Sequence, residues 1–258
     1  MNTAGRLLNV YDRLVGTGRA NDAPMMKVWG EVFELPEGSA LEDEVVGCLQ
    51  ALRGEMDLLQ ARLQALGIDD ELMRPGFQRL RNITSTAYIN AGWNGLREEA
   101  SKPENRIPFA WANWVLRDEA EEDLAADELS SLKKELDALE KSLSDTEMSP
   151  YMRGFIQRQL SAIRAALRLY PIRGVKPIEE AARQVVGTCN LEAAVLAKEF
   201  ERADAPARGV FTKVGHFIEK TAKVADNLDK IRKAGEGAYE LVANLGPALL
   251  AWTQSVGK

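Results

Sequence analysis

Histidine occurs once in the 258 residues and cysteine twice, while aromatic residues make up only 7% of the chain. Each scarcity closes a branch of chemistry. One imidazole, His216, excludes a His-rich zinc site, two thiols, Cys48 and Cys189, cannot supply a zinc-finger ligand set, and neither H-E-x-x-H nor C-x-x-C occurs. His216 stands beside Phe217 on a predicted helix and reads as a surface or packing residue. Both cysteines fall in apolar helical rows, where a free thiol behaves as a small hydrophobe. The G-x-S-x-G turn of hydrolases is missing, and so is the G-x-x-x-x-G-K-[ST] phosphate loop. Val15-Gly16-Thr17-Gly18-Arg19 carries two glycines but follows a helix, whereas the dinucleotide fingerprint requires a strand before the turn. It reads as a helix stop, and no cofactor is expected.

Long apolar runs are lacking too. The longest uncharged stretch, Leu241 to Gly257, contains Asn244, Pro247 and Gln254 and falls short of the ~20 apolar residues of a spanning helix. Arg6, Asp12, Arg13 and Arg19 interrupt any signal-peptide core near the start. The expectation is a cytoplasmic protein, in which the Asn82-Ile83-Thr84 sequon has no role. A net charge of -6 argues against a dedicated nucleic-acid binder, which carries a basic footprint.

What is abundant is helical periodicity. Apolar residues recur at steps of three and four nearly everywhere, and no run alternates with period two. The fold class expected is all-α, a multi-helix bundle. A short helix covers Leu7 to Val15, and Pro24 opens a second with Met25, Trp29, Val32 and Phe33 on one side. Ser39 and Glu42 have capping-box spacing before a helix carrying Leu41, Val45, Leu49, Leu52, Met56, Leu59, Leu63 and Leu66. Residues 69–100 predict one or two helices broken near Pro75-Gly76, and 101–108 a loop.

Charge then separates sharply. Residues 118–147 hold twelve acids and three lysines, about -9, whereas 148–176 hold six bases and no acid. Both stretches carry leucine-rich rows: Leu129, Leu132, Leu136, Leu139 and Leu143 in the first, Ile156, Leu160, Ile163, Leu167 and Tyr170 in the second. The short connection at 144–150 predicts antiparallel neighbours, hence a coiled-coil-like helical hairpin over about 124–170, with Pro171 ending its second arm. A further helix turns Ile178, Val185, Cys189, Leu196 and Phe200 inward. The domain reading is an N-terminal helical region (1–117), hairpin plus following helix (118–202) packed with it, a small-residue linker (203–209) and an amphipathic tail (210–258), with no internal repeat. The last apolar piece is kinked or split at Gly246-Pro247.

Three features remain as candidates for function. Glu119 and Glu122 have the spacing of a carboxylate metal pair, but no second such pair follows, and acids at a helix start are favoured by the macrodipole. Tyr88, Trp93, Phe109, Trp111 and Trp114 concentrate the scarce aromatics, for core packing in the first instance and for ligand stacking in the second. The tail from Arg208 to Lys233 is basic, about +4, opposite an apolar face of Val214, Phe217, Ile218, Thr221, Ala225, Leu228 and Ile231. That face predicts docking on the body; membrane contact through 210–256 and a partner groove are the alternatives. The candidate interaction residues are Lys213, Lys220, Lys223, Lys230, Lys233, Arg153, Arg164 and Arg168. The leading reading is a non-enzymatic helical protein, of bacterial texture, acting through a protein partner or self-association. Behind it stand a peripheral-membrane effector and, last, a carboxylate-dependent metal enzyme.

Overall fold

The computed structural model describes residues 1–121 and 123–232, with side chains through Val224. Those residues form ten α-helices and no strand, joined by short turns. Two compact units arise, one from Met1–Glu121 with Pro171–Gly174, the other from Glu122–Tyr170 with the remainder.

The first unit holds α1 (Thr3–Val15), α2 (Met25–Val32), α3 (Leu41–Ala65), α4 (Asp70–Ile83), α5 (Asn94–Ala100) and α6 (Pro103–Val115). Its core is built from Leu7, Val10 and Leu14 of α1, Val28 and Trp29 of α2, and Leu49, Leu52, Met56 and Leu63 of α3. Phe77 of α4 stacks on Phe109 of α6 at 4.9 Å between centroids, and Tyr11 of α1 closes on the same ring at 5.9 Å. Burying such side chains stabilises by about 1.5–3 kcal/mol each, which is what drives the helices together.

The second unit holds α7 (Ala126–Asp145), α8 (Pro150–Arg173, its last turn counted with the first unit), α9 (Lys176–Arg202) and α10 (Ala205–Arg232). Leu132, Leu136, Leu139 and Leu143 of α7 and Ile156, Leu160, Ile163 and Leu167 of α8 lie in one apolar cluster with residues of α9 and α10. Bonds between α7 and α8 run in reverse order along the chain: Leu124 N–H to the Tyr170 hydroxyl, Arg164 to Asp137 and Glu140, Arg153 to the carbonyls of Leu143 and Thr146. The leucine row is thus one wall of a core shared by four helices.

Several boundaries differ from expectation, and proline accounts for most. The predicted break at Pro75-Gly76 does not occur, because α4 runs through both. A mid-helix proline costs roughly 3 kcal/mol, and here Met73, Phe77 and Leu80 are buried around it. A Cβ on Gly76 would sit 2.4 Å from the Asn105 carbonyl oxygen, so the missing side chain is what lets α4 meet α6. The predicted loop at 101–108 is instead the start of α6: Pro103 occupies the first helical turn, where its fixed φ suits the helix. Pro171 does not end α8, which continues to Arg173 and stops at Gly174 with φ +67°. Left-handed glycine is the stronger terminator. The Ser39 capping box does not form, since Ala40 is the cap and Leu41 N–H bonds the Gly38 carbonyl at 3.2 Å. Between α9 and α10 only Ala203 and Asp204 leave the helical path, and Asp204 accepts from Ala207 N–H at 2.9 Å. The expected kink at Gly246-Pro247 lies outside the described residues.

Candidate protein-binding surface

α6 buries Asn105, Pro108, Phe109 and Ala112, a row at steps of three and four facing the helices it packs on. The opposite row is Ile107, Trp111 and Trp114, at steps of four and three. Ile107 is 59% exposed and Trp114 66%, with Trp111 half-buried between them. Aromatic and branched side chains in solvent forgo the roughly 1.5–3 kcal/mol that burial of each would supply. A ridge of them is therefore a surface with binding free energy in reserve, and Trp and Tyr dominate interface hot spots.

Polar contacts flank the ridge. Arg106 grips the Asp12 carboxylate of α1 with both arms of its guanidinium, at 2.7 and 2.8 Å, fixing α6 against α1. Arg117 lies 4.5 Å from the Trp114 ring centroid and donates to the Trp114 carbonyl at 3.0 Å. A cation over an indole face orients the ring and leaves a positive charge beside the ridge. Preorganisation of this kind cuts the ordering cost of association.

The predicted aromatic group thus divides. Trp93 and Phe109 are fully buried, Tyr88 is exposed, and Trp111 and Trp114 form the outward ridge. The basic residues divide as well. Arg164 clamps Glu140 through two bonds of 2.7 Å and reaches Asp137 at 2.6 Å. Arg153 ties down the α7–α8 connection through the Leu143 and Thr146 carbonyls. Lys220 bonds Glu135 at 2.6 Å and Lys223 bonds Glu219 one turn earlier. Lys213 and His216 are exposed and Arg168 half-buried. The side chain of Lys230 and the whole of Lys233 lie outside what is described.

On α10 the apolar face of Val214, Phe217, Ile218 and Thr221 is buried in the second unit's core, as docking requires. Among the described residues no helix is long and apolar enough to cross a membrane.

Two surface hollows are lined in part by charged side chains. One, of about 200 Å³, is lined by Asn2, Glu55, Arg62, Leu116, Glu119 and Glu121. Its charges engage one another: Arg62 with Glu119, Arg6 with Glu121 at 2.9 Å, and Arg173 with Glu55 at 3.4 Å. Glu119 of the suggested metal pair is therefore held by a guanidinium, and Glu122 is not among the described residues. No group of three His, Cys, Asp or Glu with metal-binding geometry occurs among those that are. The other hollow, of about 560 Å³, contains Ser149, whose hydroxyl donates to Glu199 and accepts from Met152 N–H at 3.2 Å. Ser149 thus caps the start of α8 and ties its hydroxyl to a carboxylate of α9. Cys189 is buried, which pushes its thiol up to about 11 and keeps it protonated.

The Arg6 centre is the feature that periodicity missed. Arg6 occupies the position four before Val10, in an otherwise inward row, and is only 5% exposed. A charge in an apolar helical row was the available signal. No family model, curated protein or solved structure matches the chain, so its function has to be argued from these surfaces.

Proposed function

We propose that this protein is non-enzymatic and acts by binding another protein chain through the outward ridge of α6. The observation that carries the reading is the exposure of Ile107 and Trp114 on a helix whose other face is fully packed. A contiguous apolar ridge fixed in place marks an interaction site, whereas single exposed apolar residues do not. The fitting partner offers an apolar groove for the indole and an acidic group for Arg117. The setting proposed is the cytoplasm, where buried thiols such as Cys48 and Cys189 stay reduced. The α7–α8 pair, with its reversed order of bonds, is read as a coiled-coil-like hairpin that buttresses the second unit.

Comparative affinity capture tests this. Wild type and the Ile107→Ser/Trp114→Ser double variant are immobilised at equal loading, and proteins retained by each are quantified. A partner retained by wild type and lost by the variant, with unchanged circular dichroism and Tm, supports the reading. Equal retention of every partner rejects it.

A further inference from the structure

Leu191 is 89% exposed, the most exposed large apolar residue among the described residues, and it sits near the middle of α9. Around it the outward face of that helix is uncharged for three turns, with Gly187, Ala194 and Val195 all exposed. The charges come at its ends and differ in sign. Glu180 stands near the start of this face, and Lys198 and Arg202 stand near its end; Arg202 lies 3.8 Å from Glu199, with its side chain still 78% exposed.

We propose that α9 pairs with α9 of a second copy of this chain, antiparallel, about a two-fold axis passing beside Leu191. The occupant follows from charge. Glu180 and Arg202 lie eleven residues on either side of Leu191, and eleven residues is close to three full turns of 3.6, so both share its face. An antiparallel copy sets each Glu180 against Arg202 of the second chain, twice over by symmetry. A parallel copy would set like charge on like, which is strongly disfavoured at an interface. The centre also fits. On one edge of the seam Gly187 meets Ala194 of the second copy, so the backbones approach closely and the two Leu191 side chains pack across the axis. A Cβ placed on Gly187 would meet nothing within 4 Å among the described residues, so its small size is not required by their packing. A C2 contact of this kind is self-complementary. The seam is one helix long, below the roughly 800 Å² per partner of a standard interface, so the dimer forms in the micromolar range rather than the nanomolar. This face is separate from the α6 ridge and does not depend on it.

Sedimentation velocity of the full chain, from about 1 µM to several hundred µM, tests the pairing. The mass is expected to rise with concentration from 28.5 kDa toward twice that value. Leu191→Glu, Glu180→Arg and Arg202→Glu, all at exposed positions, are each expected to weaken association by about tenfold or more. An equimolar mixture of Glu180→Arg with Arg202→Glu restores it, because each chain then offers the charge the other lacks. Trp114→Ala dimerises like wild type, which keeps this test apart from that of the α6 ridge. A single-chain mass at every concentration overturns the proposal. So does a dimer indifferent to these three substitutions, or a mixture that fails to recover.

Discussion

Arg6 shows how much one residue can organise. Its guanidinium donates to the carbonyls of Ile172 and Met1, to the Glu121 carboxylate and to the Thr3 hydroxyl. Gly174 makes room for it: a Cβ there would lie 2.8 Å from Arg6 Nη1, and φ is +67°. Arg6→Met is expected to destabilise by about 1–3 kcal/mol, since two carbonyls lose a donor and the Glu121 carboxylate, 32% exposed, loses its partner. Gly174→Ala adds left-handed backbone strain to that collision, for a loss of about 1–2 kcal/mol or more. Chemical denaturation of both variants checks these losses; a neutral Arg6→Met would show that the centre is not structural. At Cys189 the effect is one of pH. The ordinary value is 9.0 and burial raises it to about 11, so the folded protein holds the proton where the unfolded chain loses it. Stability from this group is intact below about pH 9 and declines as pH rises toward 11. At pH 8 the native thiol should react with a disulfide reagent only as the chain unfolds; rapid native labelling at Cys189 would contradict its burial.

Helix-forming rules worked wherever packing and local preference agreed, and proline is where they parted. Pro24 and Pro103 open helices, as a fixed φ favours, whereas Pro75, Pro108 and Pro171 lie inside them. The local cost of those three was legible in the residues; the compensation was not, because it comes from partners distant in the chain. Gly76 illustrates this: it reads as a breaker, yet its function is to let the α6 backbone approach. Gly76→Ala is therefore expected to destabilise, against the usual helix preference, and thermal melting checks the sign. The leucine row of α7 was legible because steps of three and four sustained over about four turns keep one face apolar only when the backbone is helical. Leu136→Asp places a charge among the buried leucines and is expected to prevent folding or cost several kcal/mol. A soluble variant of wild-type Tm would contradict the shared core. The outward rows of α6 and α9 were less legible, since an apolar residue off the main stripe looks like a wider stripe until the neighbours are placed.

At the scale of the molecule, the fold class followed from periodicity alone. The chain passes from one unit to the other at Glu121, gives the first unit one more turn at Pro171–Gly174, and then continues in the second. No composition shift marks that excursion. The scarcity of catalytic side chains was plain in the residues, as was the cluster of tryptophans. Which tryptophans face solvent depends on how α6 is rolled against α1 and α4, and that roll is set by side chains far apart in the chain.

The proposed function rests on the roll of α6, and the affinity of a purified partner for wild type against Trp114→Ala, measured by titration calorimetry, tests it most directly. A hot-spot indole predicts a loss of about 2 kcal/mol, near thirtyfold in Kd, with Tm unchanged because the ring contributes little to the core. An unchanged Kd, with Ile107→Ser equally silent, would contradict the assignment of this face as the binding surface.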